Sequence, residues 1–287
     1  MAVFPARSDE PWTLIIRPHR PWLDLRLAEL WRYRDLVALF VWRDFVATYK
    51  QTILGPLWHV IQPLLTTLTL TLVFGRIAGL STDGSPQFPF YLSGTIVWSY
   101  FAACVTRTSA TFLTNEHIFS KVYFPRLVVP LASVLSGLVG FAIQFALFLA
   151  VLAYFVLTGA PVRLGPAALL TPFFVAGMAG LGLGLGIIVS ALTTRYRDLQ
   201  QLVTFGVQLG MYATPVIYPL SSVPERYRWI LRANPVTAFV ESFRATFLGH
   251  GVIDAALLLY AVAATLLILF VGLLLFNRVE TTFMDTV

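Results

Sequence analysis

LVVPLASVLSGLVGFAIQFALFLAVLAYFVL, residues 127–157, contains nothing more polar than Gln144 and two serines. A hydrocarbon core of about 30 Å needs roughly 20 helical residues at ~1.5 Å each. This run therefore crosses a bilayer with length to spare, so it must tilt or protrude toward the cytoplasm. Working outward, the chain repeats the pattern. Six apolar stretches are expected to cross: Leu57 to Leu80, Phe88 to Phe112, Leu127 to Leu157, Gly165 to Leu192, Leu202 to Pro219 and Ile253 to Phe276. The whole chain of 287 residues agrees with them, being 57% hydrophobic and only 12% charged, with mean hydropathy +0.77. A soluble domain carries about a quarter charged residues, so the composition argues against a cytosolic enzyme and for a polytopic membrane protein. Cys104, the one cysteine, excludes an intramolecular disulfide and a thiolate metal cluster.

The basic residues set the expected orientation. No secretory signal is visible, since residues 1–35 carry charges throughout. With the N-terminus inside, the inner side takes Arg7, Arg17, Arg20, Arg26, Arg32, Arg34, Arg43, Lys50, Arg107, Lys121, Arg126, Arg195, Arg197 and Arg278, which is most of the 20. The positive-inside rule then gives an N-in, C-in topology. Leu36 to Tyr49 is apolar but short, with Arg43 and Asp44 at its centre. It reads as a helix in the cytoplasmic interface or, because its apolar residues form no clean stripe, as a buried connecting helix.

Before the last span, Ser222 and Glu225 fit a capping box, and Asn234 with Pro235 fits an N-cap and first helical position. In the second of these short helices Val236, Phe239, Val240, Phe243 and Phe247 recur every three or four residues, Glu241 and Arg244 pair at i,i+3, and Gly249 stops it. The pair reads as a re-entrant hairpin in the outer leaflet or as a cap on the outer surface.

The chemistry missing from the spans is as informative. Ion coupling or acid–base catalysis at membrane depth needs ionisable groups there. All 14 acids fall outside the six cores. His19, His59, His117 and His250 show no metal-ligand spacing. A phosphate-binding loop needs Lys followed by Ser or Thr after a glycine-rich turn, whereas Lys50 and Lys121, the only lysines, precede Gln51 and Val122. Glycines 177, 180, 182, 184 and 186 give overlapping G-x-x-x-G spacings for close helix packing.

The segments between the spans carry a resemblance. They read RYRDL (Arg32 to Leu36), WRDF (Trp42 to Phe45), YKQTILGPLW (Tyr49 to Trp58) ending in Gln62 and Pro63, then FPFYLSGTIVWSYF (Phe88 to Phe101). Asn115, Ile118, Lys121, FPR (Phe124 to Arg126) and Pro130 follow, then RYRDL (Arg195 to Leu199), ATPVIYP (Ala213 to Pro219), Asn234 with Pro235, and Glu241 with Arg244. Over residues 30–287 this order resembles the membrane subunits of polysaccharide-exporting ABC transporters of the type-2 fold, which move lipid-linked O-antigen, capsule or teichoic-acid polymers.

The resemblance implies an all-α polytopic fold with six transmembrane helices, an N-terminal interfacial helix and a re-entrant pair before the last span. It divides the chain into an N-terminal cytoplasmic extension (1–30), the interfacial helix and connection (31–56) and the six-span domain (57–287). The implied machine is a homodimer of this chain with two ATP-binding ABC subunits in the bacterial inner membrane. It carries undecaprenyl-diphosphate-linked polysaccharide, with ATP and Mg on the partner, no cofactor on this chain and no nucleic acid. A polytopic membrane enzyme acting on lipid-linked sugars is the rival from another class.

By the same resemblance Thr114 to Tyr123 is the ATPase-docking helix, with Asn115, Glu116, His117 and Lys121 as polar contacts and Ile118 and Phe119 as apolar anchors; a solvated loop is the alternative. Arg195, Arg197 and Asp198 form a smaller contact or simply anchor the inner side. Arg32, Arg34, Arg43 and Lys50 are candidates for the lipid-diphosphate head. For the glycan conduit the candidates are Trp58, Trp98, Tyr100, Phe101, Tyr212 and Tyr218, whose rings could stack on sugar CH faces or sit in an interfacial aromatic belt.

Overall fold

The computed structural model describes residues 27–50, 52–119, 121–122, 124–160, 162, 165–194, 196, 198–249 and 253–286. Most of the expected extension 1–30, together with Arg195, Arg197 and the Glu116 side chain, lies outside the described residues. Among the described residues every regular element is helical. In chain order these are α1 (Leu27–Arg32), α2 (Arg34–Tyr49), α3 (Trp58–Leu70), α4 (Gln87–Ser109), α5 (Thr111–Phe119), α6 (Val128–Leu157), α7 (Thr171–Thr193), α8 (Leu199–Tyr212), α9 (Glu225–Ala233), α10 (Pro235–Leu248) and α11 (Ala255–Thr286).

Among the described residues five helical stretches are long and apolar enough to cross a membrane: Gly55–Ile77, Gln87–Ser109, Val128–Leu157, Ala167–Thr193 and Ala255–Val279. They match five of the six expected spans to within a few residues. The sixth expectation, Leu202 to Pro219, differs: α8 has 14 residues and ends at Tyr212, which at ~1.5 Å each is only about 21 Å. Pro215 disfavours a helical Thr214 and cannot donate a helical hydrogen bond, so residues 213–219 run on irregularly.

Helix α4 is the hub. It packs against α7, α6, α3, α10 and α8 and is buried almost all round, which its small residues Ser93, Gly94, Ser99, Ala102 and Ala103 permit. Helix α7 packs as closely against α11. A methyl group placed at Gly184 would lie 2.9 Å from the Leu269 backbone nitrogen, so the glycines read from sequence as packing residues are just that. The outward sides of the helices carry exposed Leu65, Ile77, Leu157, Leu259, Leu266 and Leu267, which a lipid environment satisfies and water does not.

The two ends of the bundle differ. At one end a satellite core of Val37, Phe40, Phe112, Phe119, Phe124, Val128, Ile187 and Phe276 gathers α2, α5, the start of α6 and the ends of α7 and α11. Phe112 stacks on Phe276 with centroids 4.7 Å apart. At the other end the Ser221 hydroxyl donates to Asp83, 2.6 Å from Oδ2, and Arg228 donates to the Ser221 and Val223 carbonyls at 2.9 and 2.8 Å.

Helix α10 is buried along nearly its whole length against α11, α4 and α7, while α9 is largely exposed. Its expected caps are present: the Asn234 side chain accepts from Val236 N–H at 3.1 Å, and Gly249 is left-handed with φ 70°. The expected capping box is corrected. Helix α9 begins at Glu225 with Pro224 as N-cap, and Ser222 belongs to a preceding 3₁₀ turn. Pro224 pre-sets φ at the helix entrance, which leaves Ser222 two residues too far back to cap.

Gly184→Ala should lower the stability of the detergent-purified chain by about 1–3 kcal/mol through overpacking. Gly206→Ala, which meets open space, should be neutral or slightly stabilising. Melting temperatures of the two variants side by side check the contrast.

Candidate functional site

A groove of about 670 Å³ opens between α3, α4, α6 and α8, with the end of α2 closing one mouth. Each helix presents it with a stripe at helical spacing: His59, Gln62 and Thr66 from α3; Thr95, Trp98, Ser99 and Arg107 from α4; Ser136, Gly140 and Gln144 from α6; Phe205, Gln208 and Tyr212 from α8. Tyr100 and Tyr49 complete it. Among the described residues the lining contains no Asp or Glu. Polar side chains inside spanning helices are costly facing lipid and are tolerated where they face a shared cavity. That is how the fold disposes of them.

Within the groove the Ser99 hydroxyl donates to Gln144 Oε1 at 2.8 Å, and the Tyr100 hydroxyl donates to the Val134 carbonyl at 3.4 Å. Trp98 lies over Gly210, where a Cβ would come within 2.9 Å of the ring. His59 sits in a notch that only a glycine at 140 leaves open, since a Cβ there would lie 2.7 Å from the imidazole. The Tyr49 ring meets His59 edge-on at 5.9 Å. Burial raises the Tyr49 hydroxyl above its ordinary pKa, with the Arg107 charge acting in the opposite sense, so it faces the groove as a neutral hydrogen-bonding group.

Of the six expected conduit aromatics, Trp98, Tyr100 and Tyr212 line the groove. Phe101 does not, and is corrected. It is 5% exposed and points toward α7 beside Gly182, because it lies two positions from Ser99 and so on the opposite face of α4. Trp58 is exposed outside the groove. Tyr218 also lies outside it, and its hydroxyl donates to the Tyr212 carbonyl at 2.8 Å, satisfying a group left open by the end of α8.

The expected lipid-head cations are exposed, and none of Arg32, Arg34, Arg43 and Lys50 lines this groove. Arg43 donates to Asp44 at 2.7 Å and stands over the Phe40 ring at 4.4 Å. Arg34 borders a separate apolar cleft between α2 and α6. The groove residues that sequence reasoning passed over are His59, Gln62, Gln144, Gln208 and Arg107. Their signal was available: polar residues three or four apart within otherwise apolar runs.

Of the expected docking segment Thr114 to Tyr123, residues 114–119 form the second part of α5, at the same end as α2, Lys121 and Val122 follow the helix, and residues 120 and 123 lie outside the described residues. Phe119 is not an outward anchor: it is 2% exposed and packs in the satellite core against Phe112 and Phe124 at 5.9 and 5.8 Å. It holds α5 to its own chain. Ile118 is half-buried beside that core. His117 and Lys121 are exposed. The Asn115 amide donates to the Thr111 carbonyl at 3.0 Å and to the Thr114 hydroxyl at 2.9 Å. Asp198 is exposed immediately before α8.

At the opposite end of the groove, the irregular stretch after α8 is held by Arg244. This side chain is 4% exposed. It donates to the Pro215 and Val216 carbonyls at 2.9 and 3.0 Å and to Glu241 Oε1 at 3.0 Å, with its guanidinium 3.7 Å from the Phe90 ring centroid. Gly94 makes room for it. The Asn234 amide adds a bond to the Thr214 hydroxyl at 2.9 Å.

Residues 35–248 match the ABC-2 type transporter family. The chain belongs to that family. Among its relatives is the O-antigen export system permease protein RfbA of Klebsiella pneumoniae, 27% identical over 88% of this chain and 94% of the relative. The protein of the same name from Myxococcus xanthus is 28% identical over 90% of this chain and 98% of that one. The polysialic acid transport protein KpsM of Escherichia coli is 25% identical over 85% and 92%. The ABC-2 match runs from α2 through α10, so it takes in the groove, α5 and the Arg244 assembly.

Arg244→Leu should destabilise this ABC-2 chain by about 2–4 kcal/mol, because it leaves the Pro215 and Val216 carbonyls without their donor and the half-buried Glu241 without its cation. Arg244→Lys should recover only part of the loss, since an ammonium lacks the planar fork that reaches both carbonyls. Thermal unfolding in detergent measures both.

Proposed function

We propose that this chain is the permease subunit of an ABC exporter that carries an undecaprenyl-diphosphate-linked polysaccharide across the bacterial inner membrane, using ATP hydrolysed on a separate subunit. The observation that carries this reading is the groove of polar and aromatic side chains within the spanning bundle, with no acid among its described lining residues. A polymer passing through needs many weak, replaceable contacts. Amide and hydroxyl groups exchange hydrogen bonds with sugar hydroxyls, and rings such as Trp98 and Tyr212 offer faces to sugar CH groups without gripping one unit. A second copy placed across the groove would close it into a conduit, which supports a homodimer. The names of the relatives support a polysaccharide cargo.

Power comes from outside the chain, because neither Lys50 nor Lys121 sits in a phosphate-binding loop, and the ABC-2 family implies an ATP-binding partner. Helix α5 transmits the stroke. Asn115, Glu116, His117 and Lys121 offer polar contacts to the ATPase, with Arg195, Arg197 and Asp198 as the lesser contact, while Phe119 ties α5 to the bundle. Helix α2 lies in the cytoplasmic interface. Helix α8 with residues 213–219 makes the sixth crossing, and α9 and α10 form the re-entrant pair, a reading that the burial of α10 favours over a surface cap. The distribution of the basic residues supports a cytoplasmic position for both termini.

Co-reconstituted with its ATPase in vesicles, the chain should move lipid-linked polymer only while ATP is hydrolysed. Transport with a hydrolysis-dead partner would overturn the mechanism. Lys121→Glu should reduce co-purification of the ATPase several-fold and leave the melting temperature unchanged. Phe119→Ala should do the reverse, lowering stability by about 3–5 kcal/mol as buried aromatic truncations do.

A further inference from the structure

Two of the helices that border the groove, α3 and α8, each pack on α4, while α3 packs also on α6 and α8 on α7. The chain leaving α3 and the chain leaving α8 meet at the end of the bundle away from α5. There the Ser221 hydroxyl donates to the Asp83 carboxylate, 2.7 and 2.6 Å from its two oxygens. Among the described residues this is the hydrogen bond that joins the loop 78–86 to the turn 219–224.

Each partner is held ready by its own turn. Among the described residues Asp83 is the one non-glycine with positive φ, 52°, a conformation that aspartate tolerates better than most residues. Its turn is closed by Ser85 N–H on the Thr82 carbonyl at 3.0 Å and by the Thr82 hydroxyl on the Ser85 carbonyl at 2.6 Å. Thr71–Ile77, which leads into this loop, is wound as a π-helix, a rare winding that recurs at functional sites. On the other side Ser221 lies in the 3₁₀ turn Leu220–Ser222, and Arg228 of α9 donates to its carbonyl at 2.9 Å. Both turns keep these internal bonds if hydroxyl and carboxylate part. The contact is exposed, so water can take the place of either partner at little net cost. Such a bond opens without unfolding either side.

We propose that Asp83 and Ser221 form a strap across the outer end of the groove, closed in this structure, whose parting lets α3 and α8 separate and opens the groove to the outer side. This assignment rests on the exporter reading, which supplies the outward direction and the polymer that must leave.

The test uses the full chain with its ATPase in vesicles, carrying Cys104→Ser to remove the native thiol. In the Asp83→Cys, Ser221→Cys chain a short, cleavable bis-methanethiosulfonate bridge between the two positions should stop polymer transport, and reduction should restore it. Transport by the bridged chain at the unbridged rate would overturn the strap. A second measurement needs no transport. Thr95→Cys, in the groove lining on the outer half of α4, is labelled from the outer side with a membrane-impermeant thiol reagent. Ser221→Ala should speed that labelling several-fold, and Ser221→Thr, which keeps the hydroxyl, should leave it at the parent rate. Asp83→Asn keeps an acceptor oxygen and should fall between them. Equal labelling of the parent and Ser221→Ala would overturn the proposal, and so would Ser221→Thr labelling as fast as Ser221→Ala. Failure of the wild-type chain with its ATPase to move polymer would sink the exporter reading, and the labelling contrast alone would then decide whether the groove is strapped.

Discussion

A bundle surrounded by hydrocarbon has no water to satisfy a broken backbone, and the break after α8 therefore needs a donor from within the protein. Arg244 is that donor. Its fork reaches the Pro215 and Val216 carbonyls at once, Glu241 balances its charge, and the Phe90 face covers it. Lysine could not span the same acceptors, and a neutral side chain would not hold Glu241 in the interior. With this assembly in place, α10 can insert between α4, α7 and α11, α8 can end at Tyr212, and the groove is bounded at the end opposite α5.

The same economy governs the groove. Polar residues within apolar helices are tolerable when several helices aim them at a common space, and α3, α4, α6 and α8 each do so with one stripe. The glycines serve this arrangement in two ways. Gly184 lets α7 and α11 approach until their backbones nearly touch, whereas Gly140 creates a recess for one side chain, His59. One is packing, the other positioning, and both arise from a missing methyl group.

Mechanically, the bundle has a stiff axis in α4 and two ends of different character. The end with α2 and α5 is tied by a ring-on-ring cluster that includes Phe40, Phe112, Phe119, Phe124 and Phe276. Packed aromatic side chains transmit displacement poorly to lipid and well to each other. A push on α5 would therefore pass through Phe119 and Phe112 to α7 and α11, and along α4 to the groove lining that bears Arg107, Ser99 and Trp98.

Apolar run length, charge placement and local capping act within short windows of sequence. They sufficed for five spans to within a few residues, for the Asn234 cap and Gly249 stop, and for the Glu241–Arg244 pair. The same local rules did not foresee that the helix within Leu202 to Pro219 stops at Tyr212, ahead of Pro215, and they misplaced the cap at Ser222, since α9 starts after Pro224. Which way a side chain faces was a different matter. Phe101 and Trp98 are three residues apart in one helix and Phe119 looks like any apolar anchor, yet Trp98 lines the groove while Phe101 and Phe119 are buried elsewhere. The sequence by itself determined that the chain crosses the membrane several times, with no acidic residue in the cores of the expected spans and neither lysine in a nucleotide-binding loop. Only the tertiary structure decided that Tyr49 meets His59 and that Arg107 lines the same groove, because residues on three different helices come together through packing, which no local pattern encodes.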